Sequence, residues 1–275
     1  GFVVGGLLTT CVLRYDNFLS AFRTACMIAL PLCAVIVSIA VWQRGMAAFE
    51  DFNAREIGLD IFGYIFWGAL QQLLFSAWFG TRFRKAFAPG QGANNRQPTQ
   101  RWALALQFGA VGCVVFTALL YGSLRLVYGA DAVSTGIIPK FGLYLFLVSA
   151  VFGYFFALDR KRLLVAVLSA SCFGLIHIPS YLLLSGTWLL GVALVYVFME
   201  DKNRNLFALG FIHGLNGSVQ GWLFSSGQAG ALEVEYSVGP TSLDDPTFAV
   251  LWFPLIAIGV YTAIAYAWRN RLEPA

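Results

Sequence analysis

IGLDIFGYIFWGALQQLLFSAWFGTRFRK, residues Ile57–Lys85, decides the fold class. Its first part, Ile57–Gly80, is an apolar run long enough to cross a bilayer, and Arg82, Arg84 and Lys85 close it with positive charge. Near the middle stand two adjacent amides, Gln71 and Gln72. A polar side chain in hydrocarbon needs a partner. The pair is therefore expected to point into a bundle of helices and not at lipid.

The rest of the chain repeats the pattern. Of 275 residues, 59% are hydrophobic and 12% charged, with a mean hydropathy of +0.71. A soluble domain carries about twice that charged fraction. Apolar runs of spanning length recur, so the expected fold is all-α: a polytopic transmembrane helical bundle. A β-barrel is excluded, because its strands alternate apolar and polar residues. The net charge of +4 is small and no basic cluster has nucleic-acid spacing, so nucleic acid is not an expected partner. All five cysteines (Cys11, Cys26, Cys33, Cys113 and Cys172) lie in apolar runs and none forms a CxxC pair, as buried free thiols do. No metal site and no cofactor is expected.

Hydropathy gives about eight complete spans: Ala25–Trp42, Ile57–Gly80, Trp102–Tyr128, Lys140–Leu158, Leu163–Leu184, Thr187–Met199, Asn205–Phe224 and Thr247–Trp268. Pro31 is an expected kink in the first. Gly1–Leu13 lacks the basic start of a signal peptide and reads as the end of a further span, in a processed or incomplete polypeptide. The segments Arg82–Arg101, Asp159–Arg162, Glu200–Arg204 and Arg269–Arg271 hold most of the Lys and Arg, and alternation puts them on one side. Glu233, Glu235, Asp244 and Asp245 fall on the other. The positive-inside rule then makes the basic loop and the C-terminus cytoplasmic, in an integral protein of a bacterial inner membrane. The whole chain reads as a single integral membrane domain. Residues 1–56 supply N-terminal helices, 57–224 a core, and 225–275 an acidic extracytoplasmic loop and the last span.

Both histidines of the chain lie inside expected spans. His177 follows Phe173 by four residues, on the same helical face, and Pro179 comes just after. His213 is followed by Asn216 and Gln220, which share roughly its face. Gly210, Gly214, Gly217 and Gly221 form a small-residue stripe on that helix, suited to close approach by another backbone. At about 1.5 Å per residue, Gln71, His177 and His213 all lie roughly 12–21 Å from the cytoplasmic side, near mid-membrane. Three helices thus bring polar groups to one level. Each group alone reads as hydrogen-bonding glue between helices, whereas together they point to a shared site in which Gln71 or Gln72, His177 and His213 converge.

These residues resemble the CAAX-protease and bacteriocin-processing family of glutamic intramembrane proteases, often labelled abortive-infection proteins. That family carries a Glu-Glu pair with an Arg four residues after the second Glu, then Phe-x-x-x-His, then His-x-x-x-Asn. Phe173 and His177 match the second motif, and His213 starts the third. The resemblance implies that a Glu, helped by a His, activates the attacking water while the second His and the Asn stabilise the oxyanion. Here Gln71 and Gln72 stand in the two Glu positions, Ser76 in the Arg position and Gly217 in the Asn position, with Asn216 one residue early. An amide cannot serve as a general base.

The sequence accordingly favours a catalytically impaired homologue: a binding or scaffold subunit whose cavity holds a membrane lipid chain, a transmembrane helix or another integral membrane protein. Gln71, Gln72, His177 and His213 occupy the catalytic positions, and Phe173, Ser76, Asn216 and Gly217 are candidate binding positions. One alternative is a metal-independent endopeptidase working from a variant histidine site. Another is a cofactor protein with His177 and His213 as axial ligands, for which the chain offers no recognisable ligand motif.

Overall fold

The computed structural model describes residues 17–50, 52–88, 96–129, 135, 137–176, 181–224 and 248–267. Among them the helices are α1 (Phe18–Arg44), α2 (Ala54–Gln72), α3 (Gly80–Phe87), α4 (Pro98–Tyr128), α5 (Ile137–Leu158), α6 (Arg160–Leu175), α7 (Tyr181–Phe198), α8 (Leu206–Phe224) and α9 (Phe248–Ala267). Short 3-10 turns cover Gly45–Phe49 and Asp201–Asn203, and a π-helix, Leu73–Phe79, joins α2 to α3. The fold is thus the expected all-α membrane-type bundle. Three rods are long and apolar enough to cross a membrane by length and composition: Phe18–Trp42, Ala54–Phe87 and Pro98–Leu126. The second of these is 34 residues long. At about 1.5 Å per residue it exceeds a hydrocarbon core of about 30 Å, which leaves its basic end free to reach the headgroups.

Helix ends follow local chemistry. Asn53 caps α2, its side-chain oxygen accepting from the backbone N–H of Arg55 at 3.1 Å and of Glu56 at 3.4 Å. Gly45 ends α1 at φ +60°, a backbone conformation that side chains with a Cβ rarely adopt. Pro31 sits inside α1, which runs on past it to Arg44. The span expected over Leu163–Leu184 is not one helix. The described part of α6 stops at Leu175, and Tyr181–Leu184 already belong to α7. Proline lacks the N–H that a helix needs and its ring crowds the preceding turn, so a single helix through Pro179 is costly. The segments Gly1–Leu13 and Ser225–Pro246, and most of the loop before α4, lie outside the described residues.

Contacts divide the chain into two units, Gly1–Thr81 with Ala193–Val238, and Arg82–Val192 with Gly239–Ala275. In the first, α8 packs against both α1 and α2. Ala21, Ala25 and Ala29 on α1 are fully buried at four-residue spacing, a stripe narrow enough for a close neighbour. Thr24 donates to the Asn203 side chain at 2.9 Å, and the Phe22 and Phe211 rings lie 5.0 Å apart. At the far end of α1, Ala40, Ala48 and Leu223 form a small core, and Phe49 and Phe52 pack on Trp222 at 5.9 and 5.1 Å.

In the second unit α4 and α5 pair, and α9 packs on α6 and α4. Residues 163–167 of α6 are essentially inaccessible, so these turns are enclosed on every side, and Ala170 and Phe173 continue a buried face while Leu175 at the end is exposed. Tyr261 of α9 sits among Phe152, Phe116 and Trp188, at ring distances of 4.3, 5.4 and 5.9 Å. Its hydroxyl shares a 2.6 Å hydrogen bond with that of Ser149.

Candidate functional site

The first unit holds Gln71, Gln72, Ser76, His213, Asn216 and Gly217. Ser76 is fully buried and Gln72 nearly so, at 1% exposure. The Ser76 hydroxyl donates a short hydrogen bond to the Gln72 side-chain carbonyl. The neighbouring Gln71 is half-buried, and its side-chain carbonyl oxygen, shielded from solvent, has no hydrogen-bond partner among the described residues. An acceptor in that state costs free energy until a donor reaches it.

The π-helix begins immediately after Gln72, and the N–H of Gly80 bonds back to the carbonyl of Phe75, five residues earlier. The apolar run gives no sign of this change of winding. A side-chain Cβ added at Gly80 would sit 2.8 Å from the Met199 methyl, so a residue with none suits the end of the segment.

His213 faces α2. A Cβ built on Gly68 would stand 2.6 Å from the His213 Cβ and 2.9 Å from the Gly210 carbonyl oxygen. The glycine stripe of α8 meets the same helix: Gly210 and Gly214 abut the backbone of Ile65 and Ala69, and Gly217 abuts the ring of Tyr64. Residue numbers rise along α2 as they fall along α8, so the two helices are antiparallel and nearly in backbone contact. The stripe is therefore used inside the chain. Gln72 lies four residues past Gly68, about 6 Å along the axis, so the amides and His213 are one turn apart in depth on packed helices.

Asn216 does not share the direction that its spacing from His213 suggested. Its side-chain oxygen accepts from the Cys33 thiol of α1 at 3.3 Å, and its amide nitrogen donates to the Ile212 carbonyl at 2.9 Å. At 7% exposure it ties α8 to α1, while Gly217, in the family's asparagine position, looks toward α2. Cys33 was not singled out by any motif. Its sequence signal is its place one turn past Ala29, where it continues the four-residue spacing of the alanine stripe.

Phe173 belongs to the second unit. It is fully buried, and a Cβ on Gly191 of α7 would lie 3.0 Å from its ring. Here it is a packing residue between α6 and α7. His177 lies outside the described residues. Among the described residues, no three His, Cys, Asp or Glu side chains stand together as metal ligands would.

Residues 157–219 match the family model described as type II CAAX prenyl endopeptidase Rce1-like. The chain carries an Rce1-like segment. The match bears out the resemblance to the CAAX-protease family, and it spans α6 to α8 together with both histidine motifs. It covers under a quarter of the chain and leaves the Gln-Gln stretch outside. No curated protein and no solved structure matches the chain. The chain thus combines an Rce1-like segment with helices long and apolar enough to cross a membrane, the composition of an integral membrane protein.

Outside the helices, Asp159 caps α6 by accepting from the Arg162 N–H at 2.9 Å. Burial pushes its carboxyl above the usual range. The Arg162 N–H and charge, the Lys161 N–H and the charge of Arg84 pull it back only in part.

Proposed function

We propose that this CAAX-protease-type membrane protein has given up hydrolysis and acts as a binding or scaffold subunit in a membrane assembly. The observation that carries the reading is the Gln72–Ser76 pair. Where the family has a carboxylate and an arginine four residues apart, this chain has an amide and a hydroxyl that satisfy each other in a buried site. The exchange is matched at both ends: two charges have gone and one neutral hydrogen bond has replaced them. No titratable proton acceptor is left at either glutamine position.

Two further features support binding over catalysis. The Gln71 carbonyl has an open place for a donor, such as a backbone N–H from an unwound or kinked part of a partner's helix. Asn216 donates its amide N–H to the Ile212 carbonyl of its own helix and accepts from Cys33 of α1, which engages the group that an oxyanion would need as donor. The partner expected is another integral membrane protein or a single transmembrane helix, in a bacterial inner membrane.

Purification of the full chain in a mild detergent, followed by a cleavage assay on a membrane-embedded peptide, tests this. The expected result is a stoichiometric partner and no cleavage above background. A solitary protein that cuts the peptide, and stops cutting after His177→Ala, would establish the variant-site protease instead.

A further inference from the structure

Helices α4 and α5 of the second unit pack antiparallel through small residues, Gly109 against Phe146, Gly112 against Ser149 and Gly142 against Cys113 and Thr117. Beside the C-terminal half of α4 the pair carries a groove of about 510 Å³. Its walls include Cys113, Val114, Thr117, Tyr121, Gly142 and Leu143. The volume is within the range of small-molecule sites. Val114 and Leu143, at 70% and 63% exposure, leave it open along one side. Since α4 is one of the helices long and apolar enough to span, that side is placed to meet lipid.

Two polar features break the apolar lining, and both are on α4. Thr117 is 9% exposed, and its hydroxyl is buried with no hydrogen-bond partner among the described residues. A helical threonine ordinarily bonds a carbonyl one turn back, so this donor lacks its usual acceptor. Tyr121 lies one turn toward the helix end and Arg125 a second turn on; the exposed Arg125 guanidinium stands 5.5 Å from the centre of the Tyr121 ring and makes a long 3.5 Å contact with the Tyr121 hydroxyl. A cation is thus held against a phenol of the groove wall, with a hydroxyl donor about 6 Å along the helix axis from Tyr121 and about 12 Å from Arg125.

We propose that the α4–α5 groove is a binding site for an anionic phospholipid. The phosphate pairs with Arg125 and Tyr121, which supply one positive charge and one hydroxyl at headgroup level. An ester carbonyl of the glycerol region accepts from Thr117, after a rotation about its Cα–Cβ bond. The acyl chain lies past Cys113 and Val114, along the wall that Gly142 and Leu143 form. Charge complementarity and the order of the three zones along α4 (cation, donor, hydrocarbon) match that ligand's own sequence of groups.

The test uses the full chain in detergent with a phosphatidylglycerol whose acyl chain carries a photoreactive diazirine, and mapping of the labelled peptides. Label is expected on residues 113–121 and 138–143, and unlabelled phosphatidylglycerol should displace it at about one-fifth the concentration of phosphatidylcholine needed. Arg125→Gln is expected to erase that difference, Arg125→Lys to keep it, and Gly142→Leu to abolish the label. Arg125 is exposed, so its variants leave the fold intact. Label spread evenly over all helices, or equal displacement by both lipids in the unaltered protein, would overturn the proposal. So would a preference that survives Arg125→Gln.

Discussion

Gln72 shows how much one buried position is tuned to its neighbour. Its carbonyl takes the Ser76 hydroxyl in a space closed to water, so Gln72→Glu replaces a satisfied amide by a charge with a single weak donor. Leaving a buried charge uncompensated costs about 3–5 kcal/mol. The single variant is expected to melt well below the unaltered protein, and Gln72→Glu with Ser76→Arg to recover much of the loss. A thermal melt in detergent reads both, and a single variant as stable as the parent would show that Gln72 is not enclosed as described. Asp159 makes the opposite kind of case. Its folded-state carboxyl titrates above its ordinary value because it is buried. A raised value means that the contribution to stability is fully present below pH ~3.8 and is lost as pH rises through the folded value. Asp159→Asn keeps the cap on α6, since asparagine caps about as well, and cannot ionise. The variant should therefore gain on the parent between pH 4 and pH 7 in melts run at each pH, and a constant difference would refute the assignment.

The α2–α8 pair is held by absence of side chains, and its glycines are not equivalent. A Cβ on Gly214 would meet backbone atoms of Ile65 at 2.6 and 2.9 Å, which cannot move without moving the helix. A Cβ on Gly217 would meet only the Tyr64 ring, at 3.6 Å, an ordinary contact. Gly214→Ala is expected to cost about 1–3 kcal/mol by overpacking. Gly217→Ala should be neutral or stabilise by up to about 1 kcal/mol, because alanine is the better helix former. Equal melts for the two variants would mean that the helices are further apart than the structure places them. The same pair explains why His213 and Gly68 were chosen together: a larger residue at Gly68 would occupy the volume of the imidazole's first carbons.

For the molecule as a whole, the charge pattern predicts a cytoplasmic Arg82–Arg101 loop and C-terminus, with Ser225–Pro246 on the opposite side. Gln91→Cys and Gln228→Cys, treated in turn with a membrane-impermeant maleimide from each side, should label from opposite sides. Labelling of both from one side would require an odd number of crossings to be added or removed between them.

Run length and composition are one-dimensional properties, and a bilayer about 30 Å thick reads them directly, so the sequence alone determined an all-α membrane bundle and most of its helices. The histidine motifs were likewise legible, because their spacing is local to single helices. What only the tertiary structure decided is where side chains end: Asn216 on Cys33 of α1, the glycine stripe on Ile65 and Tyr64, and Ser76 on Gln72 at the start of a π-helix. An ideal 3.6-residue period assigns Asn216 a direction near that of His213. With two different helices packed against α8, a fraction of a turn is enough to send neighbouring polar groups to different partners, and helix packing settles that fraction after the backbone has formed.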